Sequence, residues 1–252
     1  MNLNENELID NWNVFLGYIK DYIAEPRKQQ LLDFYTKYEE RFILLPASHK
    51  SQFHNCFPGG YVEHVNRVVA AALNINQLWS GFGAKPNHTV EEVVFSALNH
   101  DLGKFGEFEH EAVVPNPSEW HVKNRGELYA FNTQLDYMTV PDRGLWLLTQ
   151  LGISVSKNEY LAIKLHDGLY DESNKSYLMN RMPETRLRTS LPHIVHQADL
   201  LAAYIEFERE WSDKLKTSPS VEVSKPVKSN NAVPVIDAQN DSLKKAMALF
   251  FE

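Results

Sequence analysis

Thr89-Val-Glu-Glu-Val-Val-Phe-Ser-Ala-Leu-Asn-His-Asp-Leu-Gly-Lys104 carries the first decisive pattern in this chain. Thr89 is a helix N-cap residue, and Glu91 and Glu92 fall in the first turn, where the helix dipole favours acids. Val93, Val94, Ala97 and Leu98 follow at helical spacing, and Gly103 marks the end. Into this apolar helix runs the pair His100-Asp101. An ionised carboxylate at the end of a buried helix is costly unless it is paired. The negative end of the dipole raises that cost further. Asp101 therefore demands a nearby cation.

Outward from this segment the pattern is helical nearly throughout. Glu7–Ala24 places Trp12, Phe15, Leu16 and Ile19 on one face, and Arg27–Leu45 repeats the rhythm after Pro26. Pro58-Gly59-Gly60 is a turn, and Tyr61–Trp79 reads as a strong helix. Gly81–His88 and Phe105–Trp120 read as loops. Helices are predicted at His121–Tyr137, Asp142–Leu151, Lys157–His166 and Pro192–Trp211, with an irregular segment at Asp171–Ser190. No convincing strand is present before residue 214. Lys214–Asp241 reads as a surface extension, with short strands allowed at Val221–Val223 and Ala232–Ile236, and Ser242–Phe250 as a closing helix. The reading is an all-α bundle in three parts: N-terminal helices in 1–50 packed on the core, a main domain in 51–212, and a partly irregular extension in 213–252.

Composition bounds the function. The chain has 252 residues, 43% hydrophobic and 23% charged, enough for a real core. Apolar runs such as Val68–Leu73 are far too short to span a bilayer, and the acidic N-terminus has no signal pattern. The expected location is the cytoplasm. A single cysteine, Cys56, excludes an internal disulfide and a thiolate metal cluster. The net charge of −8 disfavours binding a long nucleic acid, which needs many phosphate-neutralising cations. A small anionic substrate suits the balance better. The apolar N-terminal helices also offer a surface for a homo-oligomer.

Two further segments repeat the problem posed by Asp101. Asp199 lies in His196-Gln-Ala-Asp-Leu-Leu-Ala-Ala203, among residues that belong in a core. His64 lies on a strongly apolar helix in Tyr61-Val-Glu-His-Val65. Singly, each histidine is an ordinary core residue; together they form a His/Asp set suited to Mn, Fe, Co, Ni or Zn. The order His64, His100-Asp101, Asp199 resembles the H…HD…D signature of the HD-domain metal-dependent phosphohydrolases. Phe57-Pro-Gly-Gly-Tyr-Val-Glu-His64 is similar to the turn and helix that present that family's first histidine, and His100-Asp-Leu-Gly-Lys104 to its HD-[IL]-G-K segment. The resemblance covers about Ser51–Glu210.

The resemblance implies a helical bundle with His64, His100, Asp101 and Asp199 binding one divalent ion, Mg included. Two-metal members add histidines, and His121 and His166 stand at suitable places, Asp101 then bridging. Many such members carry a His-His pair where this chain has His166-Asp167. That departure either removes a ligand of the second ion or gives Asp167 a ligand or proton-transfer role. The implied reaction is hydrolysis of a nucleotide phosphate ester or anhydride by metal-activated water. Lys104 is the first choice to offset phosphoryl charge, followed by Arg125, Lys123 and Arg67. Arg181, Arg186 and Arg188 could clamp phosphate or be surface charge. Trp120, Phe57 and Tyr170 could stack on a base or simply pack. His196 is a second-layer candidate; His110 and His193 are weaker ones; His49, His54 and His88 read as surface residues. Alternatives are a phosphodiesterase acting on a cyclic nucleotide or an RNA 3′ end, and a non-catalytic nucleotide-sensing HD module.

Overall fold

The structure, a computed structural model, describes residues 3–217. It is mostly helical. Helix α1 (Glu5–Tyr22) opens on a capping box between Asn4 and Glu7 and buries Trp12, Phe15 and Ile19. The predicted helix over 27–45 is broken at Tyr38 into α2 (Arg27–Lys37) and α3 (Glu39–Leu44). The break lets successive aromatic residues share one core. Tyr38 meets the Phe105 ring edge-on at 5.2 Å, while Phe42 stacks on it at 4.7 Å.

Helix α4 (Gly60–Gly81) starts from the predicted turn. Gly59 has a positive φ of 88°, and a Cβ on Gly60 would lie 2.1 Å from the Asn55 carbonyl oxygen. The turn thus needs both glycines. Helix α5 (Val90–Asn99) begins with the Thr89–Glu92 capping box and is buried from Val93 to Asn99. A 3₁₀ turn, Leu102–Phe105, follows Asp101. Helix α5 packs on α4 and on α8 (Lys157–Lys164); α7 (Val140–Gln150) packs on the 3₁₀ turn. Gly103 permits that contact, because a Cβ there would lie 2.0 Å from the Val140 carbonyl oxygen. The short α9 (Lys175–Leu178) sits in the segment read as irregular, and α10 (Leu191–Thr217) closes the bundle.

One region departs from the reading. The predicted helix over 121–137 is replaced by a short α6 (Glu119–Arg125), ended by Gly126 at φ 62°, and a strand β2 (Tyr129–Phe131). Strand β2 pairs antiparallel with β1 (Val113–Pro115), in the segment read as loop; Val113 stands opposite Phe131. Three-residue strands are too short for a period of two to stand out in sequence.

The boundary drawn at residue 50 divides no core. Trp12, Phe15, Tyr35 and Phe42 share one apolar cluster with Tyr61, Val65, Leu98 and Ala198. Residues through Leu215 belong to one compact unit. Among the described residues no helix is long and apolar enough to cross a membrane. The strands and closing helix allowed beyond residue 217 lie outside the described residues.

A buried ion-pair triad ties α2, α5 and α8 together. Arg27 donates to Glu159 at 2.8 Å and to Glu91 at 2.5 Å, and the Glu159 side chain is wholly buried. Removing one partner from such a group leaves a buried charge uncompensated. Arg27→Met should destabilise the fold by about 3 kcal/mol in denaturant unfolding, and Arg27→Met with Glu159→Met should recover most of the loss. Equal stability of the single variant and the wild type would show that the triad is neutral.

Candidate metal centre

Four elements converge on Asp101, which is 3% exposed. His64 comes from α4. His100 and Asp101 come from the end of α5, His166 from just past α8, and Asp199 from α10. His64 Nε2 lies 3.2 Å from Asp199 Oδ1 and 3.7 Å from Asp101 Oδ2. His100 Nε2 lies 3.4 Å from Asp101 Oδ2 and 3.8 Å from Asp199 Oδ1. His166 Nε2 lies 3.6 Å from the other Asp101 oxygen, Oδ1.

The opposite ring nitrogens explain why these atoms face inward. His100 Nδ1 lies 2.8 Å from the Ala97 carbonyl oxygen, and His166 Nδ1 lies 2.8 Å from that of Ile163. A carbonyl only accepts, so each Nδ1 carries the proton and donates. His64 Nδ1 donates to the Glu206 carboxylate at 3.0 Å. Each ring is thereby fixed, with Nε2 directed to the centre, the arrangement that orients metal-ligating histidines. His64 Nε2 and His100 Nε2 are buried and have no hydrogen-bond partner of good geometry. Orphaned buried polar atoms of this kind call for an explanation.

A cation supplies one. Two atoms each about 2.1 Å from one ion lie at most about 4.2 Å apart. The separations of 3.2–3.8 Å meet that condition. The sets His64/His100/Asp101 and His100/His166/Asp199 each have ligand atoms within 4.8 Å of one another. These buried His/Asp groups can hold a metal ion.

The charges are mutually sustaining. Burial favours a neutral Asp101, yet Lys104, His100 and His166 hold its carboxyl well below the usual range. Burial likewise opposes the charge on His64, but Glu206 and Asp199 carry it up to about 10. His166 is raised to about 9, burial being outweighed by Asp101 and Asp167. Lys104 Nζ sits 2.5 Å from Asp101 Oδ2 and is held in its charged form against burial by Asp101, then Asp199 and Asp167. A metal entering the centre would displace protons from the imidazoles.

Above this floor opens a cleft of about 1100 Å³, lined by Asp101, Lys104, His166, Asp167, His196 and Asp199 among others. The Asp167 side chain is 45% exposed, with Oδ1 3.6 Å from His166 Nε2. His196 donates from Nδ1 to the His166 carbonyl oxygen at 2.7 Å. Its ring lies against Gly168, where a Cβ would fall 2.2 Å from Cε1 and φ is +59°. Tyr170 stands at the cleft, whereas Phe57 is buried away from it.

Other sequence candidates are placed elsewhere. His121, Trp120, Lys123 and Arg125 all lie on α6, which buries none of its residues. Between Asp101 and His121 the chain forms the 3₁₀ turn and strand β1, and no residue of α6 lines the cleft. Lys123 and Arg125 instead line a shallow surface depression with Lys50, and Arg125 lies over the exposed Trp120 ring at 5.4 Å. His121 joins no ligand cluster among the described residues. Arg67 pairs with Glu63 and Glu206 behind His64, so it steadies the ligand's partner and does not face the cleft. Arg181, Arg186 and Arg188 are exposed outside the cleft. His110 and His193 join no cluster.

Two residues at the site escaped sequence reasoning. Glu206 is two helical turns beyond Asp199 on α10, a spacing that puts both acids on one face. That was the available signal. His54, read as a surface residue, is half-buried; its ring lies 4.7 Å from that of His64, and burial with the nearby His64 charge lowers it to about 4. Its loop position, between two turns, gave no sign of this.

No family description, characterised protein or solved structure matches this chain.

Metal binding is directly checkable. Equilibrium dialysis with Mn²⁺ or Zn²⁺ should load the wild type and should fail for His100→Ala and Asp199→Ala. Glu206→Gln should weaken binding about 10- to 100-fold. His121→Ala should bind as the wild type does. Full loading of His100→Ala and Asp199→Ala would refute a metal centre here.

Proposed function

We propose that this chain is an HD-type metal-dependent phosphohydrolase acting on a nucleotide phosphate ester or anhydride. The observation that carries the reading is the convergence of three anchored imidazole Nε2 atoms on two carboxylates, at the floor of a cleft large enough for a nucleotide. The ordered likeness to the HD signature points the same way. A divalent ion bound there supplies an acidified water and polarises a phosphoryl oxygen.

The chain's own groups have definite tasks. His64, His100, Asp101 and Asp199 would hold the ion, and His166 would extend the set beside the second oxygen of Asp101. Lys104 keeps its charge and faces the cleft, so it can bind phosphoryl oxygens and offset charge that develops on them. Asp167 stands half-exposed beside His166 and can pass a proton to the leaving oxygen. His196, tied to the His166 backbone, fixes the loop on which His166 and Asp167 sit.

The test is phosphate release from nucleoside mono-, di- and triphosphates, with bis-p-nitrophenyl phosphate as a diester, under Mn²⁺, Mg²⁺, Co²⁺ or Ni²⁺. Turnover of one nucleotide class should vanish in His100→Ala and Asp101→Ala. It should fall about 10²- to 10³-fold in kcat in Lys104→Ala. Turnover of the diester alone would replace the reading with a phosphodiesterase. Tight metal binding without any turnover would replace it with a nucleotide-sensing module.

A further inference from the structure

Beside the metal-centre cleft lies a second cavity, of about 460 Å³, whose walls are mostly apolar. Its size and character are those of a small-molecule site. The β1–β2 insertion builds one side. Val113 and Phe131 are opposite in the ladder, so their side chains project from the same face. Leu135, Tyr137 and Met138, from the loop leading into α7, add to the wall. Gly103 and Lys104 line it from the HD segment; Lys104, His49, Phe131, Tyr137 and Met138 line the cleft as well, so the two spaces are continuous along a shared wall.

The chemistry of the two spaces differs. The carboxylates and imidazoles of the metal centre belong to the cleft, along with the polar tip of Asp167. The cavity has aromatic rims, Phe131 being 68% and Tyr137 92% exposed, and the His49 ring packs on Phe131 at 4.9 Å. Its most buried charged lining residue is Arg143, which is 6% exposed and steadied by donation from Nη2 to the Asp136 carbonyl oxygen at 2.6 Å. A guanidinium in an apolar wall selects a planar ring with acceptor atoms on its edge over an aliphatic group. Exposed aromatic rings at the mouth suit stacking on such a ring.

We propose that this cavity holds the nucleobase of the substrate, with Phe131 stacking on it, Arg143 facing its acceptor edge, and Lys104 at the junction with the phosphate. The inference rests on the nucleotide reading above. The β1–β2 insertion is, on this account, the element that confers base recognition.

Nucleosides test the cavity without engaging phosphate chemistry. Calorimetric titration would use adenosine, guanosine, cytidine and uridine, with ribose 5-phosphate as a base-free control. At least one nucleoside should bind the wild type alike with and without a metal chelator. Its binding should weaken by about tenfold, the scale of one lost base–aromatic stack, in Phe131→Ala. Phe131 is exposed, so its truncation spares the core. Ala112→Trp, which fills the cavity from the β1 side, should weaken it at least as much, with unchanged helix content by circular dichroism. The proposal is overturned if no nucleoside binds the wild type, if chelation abolishes binding, or if both cavity variants bind like the wild type. Phosphate release from nucleotides without nucleoside binding would remove the cavity proposal and leave the hydrolase. Nucleoside binding through Phe131 without phosphate release would do the reverse.

Discussion

The Asp101 carboxylate lies almost wholly out of water at the end of an apolar helix, and an ionised group in such a place costs several kcal/mol unless cations surround it. Lys104 answers from three residues along the chain. His100 adds a second from the adjacent position, and the remaining partners lie far along the chain, because α5 offers no cationic residue between its cap and Asn99. They arrive as His64 from α4 and His166 from beyond α8, with Asp199 of α10 completing the set. The same apolar packing that buries Asp101 brings these helices together. The charge then fixes their register more sharply than packing alone, since apolar contact is nondirectional and a charged contact is not.

Charge alternates outward from the centre. Asp199 and Asp101 face His64, His64 leans on Glu206, and Glu206 is held by Arg67. Arg67 and Arg209 both grip Glu63, and Arg209 also reaches Asn55 in the loop before α4. Each buried group thus has a partner of opposite sign, so a ring nitrogen is oriented by three layers of structure. Preorganisation of this kind is what a cluster able to hold a metal ion requires.

The helical frame and the insertion divide the work. Every residue of the central cluster sits on a helix or within two residues of a helix end, where packing sets its position. The segment between the 3₁₀ turn and α7 contributes no cluster member. It shapes the neighbouring cavity and presents exposed aromatic residues, Phe131 and Tyr137, at its mouth. Surface segments on a rigid scaffold are where specificity commonly resides.

The sequence by itself determined the helical class, the cap of α5, and the buried carboxylates that needed cations. Those features are written in local pattern: a spacing of three and four, a Thr before an acid, a charge in an apolar run. It also singled out His64, His100, Asp101 and Asp199, because an ionisable residue on a core face is conspicuous wherever it falls, whereas His166 entered only through the family resemblance, on equal terms with His121. What lay between them was decided only by tertiary structure. The break at Tyr38 follows from an aromatic cluster drawn from α2, α3 and the 3₁₀ turn. The hairpin rests on pairing between residues 18 positions apart (131 − 113), and α6 within it leaves His121, Lys123 and Arg125 outside the cleft. Glu206 became a partner of His64 across 142 residues. Such pairings depend on loop closure and three-dimensional proximity, and neither leaves a period in the chain.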